Sequence, residues 1–271
     1  MTRRPVGRVC RAAAHRRFSP GHTKSAGERA GGAYSRPTKA VSLDMECIPG
    51  LMQLGSAALP IGAFSHSLGL ESAVYAGIVK DANSAARWIG DYLDLIWARG
   101  EAPLWLRLHA AWELADADEL ARLNDRVLAV RESSELLLEC TQTGHSLRLW
   151  LLALPEMPAL RDDQRAALVA LQPIGFACAH ALAARALGLS ASTGLHACAW
   201  GLLENLTTAA VKLVPLGQTQ GQAILRRMAL KLPAAIATTM ALTEETVSHF
   251  APMLAIRSAQ HESQYSRLFR S

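Results

Sequence analysis

Residues 84–100, SAARWIGDYLDLIWARG, decide the fold class. Ala85, Trp88, Ile89, Tyr92, Leu93, Ile96 and Trp97 fall at offsets 0, 3, 4, 7, 8, 11 and 12, which is one face of a 3.6-residue period. Ser84 is the expected N-cap and Gly100 the expected C′ residue. Leu104, Leu108, Ala111 and Leu114 continue the pattern on a second helix. Leu137, Cys140, Gly144, Leu147, Leu151 and Leu154 step by three and four until Pro155 and Pro158 end that helix. Asp162 caps a helix running to about Leu171, Pro173 opens the next, and Gly188 stops it. Ser192 or Thr193 starts a long helix through Lys212 that closes near Pro215. Residues 218–230 are helical, Pro233 bends or restarts the run, and Thr243 precedes two glutamates as an N-cap. Alternating Val/Ile/Thr runs and Asn-Gly or Asp-Gly hairpins are absent, while Leu and Ala dominate. The expectation is an all-α, single-domain bundle of about nine to eleven helices over residues 45–271.

Charge divides the chain differently. Residues 1–40 hold ten Lys and Arg and one acid, Glu28, leaving 18 basic and 22 acidic side chains for the rest. The net +5 therefore belongs to the amino-terminal arm, and the body is mildly acidic. Residues 1–44 are rich in Arg, Gly, Ser and Pro with no periodic apolar face, so a disordered extension, or a true start at Met45, is expected. The arm's composition also fits a transit peptide, but no apolar region follows Arg3 and Arg4 as a signal peptide requires. No window of about 18 uncharged apolar residues exists for a membrane span.

The search for a reactive centre returns little. Five cysteines are widely spaced without CxxC, and Cys140, Cys178 and Cys198 lie in helical apolar patterns, as buried hydrophobes do. Nine histidines form neither HxxxH nor HxH; His66 and His261 remain weak candidates for transient metal contact beside the plainer reading of a polar contact at a helix end. GxxxxGK[ST], GxGxxG and GxSxG are all missing.

Four segments stand out instead. Residues 59–71, LPIGAFSHSLGLE, place Pro60, Gly62 and Gly69 between helical stretches, as a loop approached closely by other backbone or as a tight corner plugged by Phe64. In RESSEL, 131–136, Ser133 or Ser134 caps the following helix, and the Arg-Glu pair reads as a solvated helix end. In AAVKLVPLGQTQGQ, 209–222, Lys212 interrupts an apolar face before the Pro215 break and Gln218; a lysine there snorkels or answers the helix dipole. The tail HESQYSRLFRS, 261–271, interleaves Tyr265, Leu268 and Phe269 with Arg267 and Arg270, residue types that anchor interfaces. It docks on its own domain or on a partner; the two arginines favour the partner, since burying them without acceptors is costly.

Together with QTGHSL at 142–147, these segments resemble the UreF family of urease accessory proteins over residues 51–271. One departure is His66, where that family usually has Tyr between two serines. The resemblance implies an all-α, cytoplasmic homodimer without catalytic activity or a cofactor of its own. It implies binding to UreD (UreH in some species), recruitment of the GTPase UreG, and help in loading nickel into the urease apoprotein. It places the partner surfaces at Pro60, Gly62, Phe64, Ser65, His66, Gly69 and Glu71 and at Tyr265, Arg267, Leu268, Phe269 and Arg270, the tail ordering fully only with UreD. Lys212, Pro215 and Gln218 would lie near the surface that meets UreG. Three competitors are a helical enzyme using His66, Glu71 or His261 as acid or base, a nucleic-acid binder, and a membrane-surface protein, the last two acting through the basic arm.

Overall fold

The helix expected at 84–100 forms, but it starts earlier and does not stop at Gly100. In the computed structural model, which describes residues 45–153 and 160–271, Asp81 is its N-cap. The Asp81 carboxylate accepts from the Ser84 N–H at 2.7 Å, and the Ser84 hydroxyl sits at N3 of the reciprocal box. Helix α3 (Ala82–Asp91) passes into a π-helical segment (Tyr92–Glu101) and then into α4 (Ala102–Leu114) without a break. Gly100 is therefore inside the rod, and its missing side chain makes room for the His249 ring, which a Cβ would meet at 2.5 Å.

Around this rod lie α1 (Ile48–Leu54), α2 (Leu70–Tyr75), α5 (Ala117–Ala129), α6 (Ser134–Ala153), α7 (Asp162–Ala170) and α8 (Phe176–Ala186). They are followed by α9 (Ala191–Leu213), α10 (Gln218–Ala229), α11 (Leu232–Ala241) and α12 (Pro252–His261). The described residues contain these twelve α-helices and no strand; with the α3–α4 rod counted once, the number agrees with the expected nine to eleven. The fold is all-α. The basic arm and the Pro155/Pro158 helix end lie outside the described residues.

Helices α8 and α9 form the centre. Residues 177–184 of α8 are all buried, and most are Ala or Cys, so α4 and α6 pack closely on it from two sides. Trp97, Trp105 and Trp112 are fully buried. Two of their indole N–H groups find acceptors: Trp105 donates to His180 Nδ1 at 3.0 Å and Trp112 to the Cys178 carbonyl at 2.9 Å. Gly144 carries the tightest contact, because a Cβ there would come within 2.3 Å of the Ile174 carbonyl oxygen. The glycine of QTGHSL is thus what lets α6 lie against the backbone entering α8. Burial pushes the thiols of Cys140, Cys178 and Cys198 up, Cys198 to about 12, as expected of cysteines that pack rather than react.

Several boundaries differ from expectation. Ser190, not Ser192 or Thr193, caps α9, and its hydroxyl accepts from the Thr193 N–H at 3.2 Å. Helix α8 starts at Phe176, after Pro173. Arg161 precedes α7, with Asp162 in the first turn. Pro233 falls in the first turn of α11, and Thr243 precedes only a 3₁₀ turn. No helix among the described residues is long and apolar enough to cross a membrane.

Candidate functional site

The loop between α1 and α2 is built for contact with other backbone. Gly62 and Gly69 take φ of 74° and 80°, where a side chain is strained. Gly69 also lies against α12, a Cβ there meeting the Ser258 nitrogen at 3.4 Å. Leu68 adopts φ 53° although it is not glycine, at a cost of about 1 kcal/mol. The contacts on either side of it hold that conformation.

Those contacts come from the tail. The Ser271 carbonyl accepts from the Ser67 N–H at 2.7 Å and from the Ser67 hydroxyl at 2.6 Å. The Arg270 N–H donates to the Ser65 carbonyl at 2.8 Å. Glu71, at the start of α2, is 6% exposed and takes the next two tail amides, Leu268 at 2.6 Å and Phe269 at 2.8 Å. Its Oε2 also faces His261 Nε2 at 3.1 Å. On the other side of the ring, His261 Nδ1 faces Glu135 Oε2 at 2.6 Å, and Arg267 donates to Glu135 Oε1 at 2.5 Å. Carboxylates only accept, so both His261 bonds are made when both ring nitrogens carry hydrogen. Glu262 accepts from the Ser134 N–H at 2.7 Å and holds the N-terminal end of α6, where negative charge suits the helix dipole; the Ser134 hydroxyl holds the Glu262 carboxyl below the usual range. Ser133 is the local cap, accepting from the Leu136 N–H at 3.2 Å.

Three of the segments singled out in the sequence, 59–71, 131–136 and 261–271, thus meet in one clasp. The fourth touches it through Lys212, whose ammonium lies 5.6 Å from the centre of the Phe269 ring. Pro215 and Gln218 are exposed at the α9–α10 junction. Of the residues expected at partner surfaces, Pro60, Phe64, Lys212, Tyr265, Arg267, Leu268 and Arg270 are also exposed, and Gly62 and Ser65 are half-buried. His66, Gly69, Glu71 and Phe269 are buried within this chain, so their part is to brace. The tail packs against its own domain, with Phe269 and Ser271 buried and Tyr265, Arg267, Leu268 and Arg270 exposed. The enzyme reading also loses its residues. Glu71 and His261 are spent on the clasp, and His66 Nδ1 lies 2.9 Å from the Ser271 hydroxyl. Burial, with Arg270 nearby, lowers His66 to about 4. Among the described residues no three His, Cys, Asp or Glu side chains are grouped to hold a metal ion.

What lies under the same loop has no counterpart among the motifs of the sequence. Leu59, Ile61 and Leu68 roof a cavity lined by Tyr92 and Glu101 of the π-helical segment and by Arg131 and Glu139. Arg131 is not a solvated helix end, because it pairs with Glu101 at 2.5 Å and both side chains are largely buried. The Tyr92 hydroxyl donates to the same carboxylate at 3.3 Å. Burial pushes Glu139 up to about 7, and the nearby Arg131 charge only partly offsets it. A π-helical segment was the one signal that would have pointed here, and apolar spacing does not reveal it.

Comparison with known proteins bears on the whole of this architecture. The UreF family model matches residues 79–229. A urease accessory protein UreF from Polynucleobacter asymbioticus is 43% identical over 234 residues, covering 85% of this chain and 100% of that relative. The Azoarcus sp. urease accessory protein UreF is 48% identical over 221 residues, 82% of this chain and 94% of the relative. That of Paracidovorax citrulli is 46% identical over 224 residues, 82% of this chain and 88% of the relative.

Proposed function

Because the chain belongs to the UreF family of urease accessory proteins, which are not themselves enzymes, we propose that it is an adaptor in urease maturation. In this reading it binds UreD (UreH in some species), and the pair recruits the GTPase UreG to the urease apoprotein. Nickel is the cargo that the assembly delivers. The protein acts in the cytoplasm as a homodimer. It influences the GTPase step by binding one nucleotide state of UreG more tightly than another, which requires no bond chemistry of its own.

The observation that carries this reading is the clasp. Segments up to about two hundred residues apart converge there, and the side chains that could react are tied in intrachain bonds. What the clasp exposes is of another kind: Phe64 and Leu268 are each 65% exposed and Tyr265 fully so, beside Arg267 and Arg270. Aromatic and arginine side chains held out on an ordered frame are the usual anchors of a protein interface. Docking the tail beforehand lowers the entropy cost of binding.

Deleting residues 265–271 should abolish pull-down of UreD while leaving the helical circular dichroism nearly intact. Undiminished pull-down would remove the tail from the interface. A strain lacking the gene that still matures fully nickel-loaded urease under scarce nickel would overturn the adaptor reading itself.

A further inference from the structure

QTGHSL contributes Gly144 to packing, but its polar side chains take no part in the clasp. Gln142, His145 and Ser146 open instead into a groove with Arg148, bounded by the 60–66 loop, by Gln172, Pro173 and Ile174, and by Arg270. No aspartate or glutamate lines this groove among the described residues. Arg148 and Arg270 have no carboxylate partner among the described residues, although the body as a whole carries more acids than bases. Arg148 donates to His145 Nδ1 at 3.4 Å, and its Nε is buried without any hydrogen-bond partner. Arg148 lines the groove and Arg270 is exposed at its edge, so two guanidinium groups without a carboxylate face the same space.

We propose that this groove receives an acidic peptide segment of a partner protein, with carboxylates on Arg148 and Arg270. The inference rests on the adaptor reading and adds the chemistry of the contact. Guanidinium groups match carboxylates in paired hydrogen bonds. Gln142 and Gln172 supply amides for a peptide main chain, and Ile61, Pro173 and Ile174 supply an apolar lining. A nucleic acid would need a longer basic track, which the acidic body does not offer.

The test is fluorescence anisotropy of the full chain with overlapping labelled peptides spanning UreD, UreG and the urease subunits of the same organism. Peptides rich in Asp and Glu should bind, more weakly as salt rises, and their Asn/Gln counterparts should not. Arg148→Gln and Arg270→Gln should each weaken binding on the order of tenfold. Arg270 is exposed, so its variant keeps the test alive if Arg148→Gln does not fold. The proposal is overturned if acidic peptides bind no better than neutral ones, or if both variants bind as the parent does. It is equally overturned if either variant turns a dimer into a monomer by light scattering, since the occupant is then a second copy. Binding of labelled oligo(dT), lost in the same variants while no acidic peptide binds, would also sink it. Gene deletion with unimpaired urease maturation would strike the adaptor reading alone. A required protein whose arginine variants bind peptides unchanged would strike the groove alone.

Discussion

Two polar clusters meet at the start of α6, one on each side of the turn at Ser133. On the tail side, Glu71 and Glu135 are surrounded by donors: two main-chain amides, the His261 ring and Arg267. On the cavity side, Arg131 and the Tyr92 hydroxyl both donate to Glu101, while Glu139 has only the nearby Arg131 charge and the Thr143 hydroxyl against the burial that raises it to about 7. Both clusters hold carboxylates away from bulk water. The difference is the supply of N–H groups, which on the tail side comes from chain 126 to 198 residues away. A buried acid is a strong fastener where backbone donors are brought to it and a liability where they are not.

Removing the best-supplied carboxylate should have the largest effect. Glu71→Ala leaves two amides and His261 without their acceptor, and should cost about 3 kcal/mol. Hydrogen exchange at the amides of Leu268 and Phe269 should speed up with it. If those amides stay protected, the tail is held by Phe269 burial and not by the carboxylate. Gly144→Ala attacks the α6–α8 contact on which both clusters stand. It should cost about 2 kcal/mol by urea denaturation, because the new Cβ meets a carbonyl that cannot swing aside.

On the cavity side the sign reverses. The folded state holds the Glu139 proton up to about pH 7, whereas the unfolded chain releases it near 4.5, as a free glutamate does. The stability linked to that proton is full below pH 4.5 and is lost as pH rises to 7. Glu139→Gln should therefore raise stability at pH 8 by about 1–2 kcal/mol, a few degrees in Tm, and change little near pH 4.5. A variant no more stable at pH 8 than the parent would mean that the cavity solvates the carboxylate well. The smallest effect belongs to Lys212→Ala, about 0.5 kcal/mol from the contact with Phe269. A marked fall in urease activation and nickel content in cells, with stability so little changed, would assign Lys212 to a partner.

How far the site was legible depends on which residue is considered. LPIGAFSHSLGLE and the tail were recognisable as unusual because glycines, a proline and an aromatic-arginine mixture break the helical pattern. The pairing of Glu71 with the amides of Leu268 and Phe269 was not, since nothing at position 71 records that position 268 returns to it. Arg131 looked like a helix-end charge because it stands next to Glu132, while its true partner, Glu101, is 30 residues earlier.

The sequence by itself determined the helices. Apolar spacing of three and four residues, prolines and capping side chains are local, and the free energy of helix formation depends mainly on neighbours within one turn. Tertiary structure alone decided that α3 runs through Gly100 into α4 as a π-helical rod, that the tail closes on the loop before α2, and that two acid clusters sit on either side of α6. Each of those depends on contacts between residues far apart in the chain, where burial sets the strength of a hydrogen bond or a charge, and local periodicity carries no information about burial of that kind.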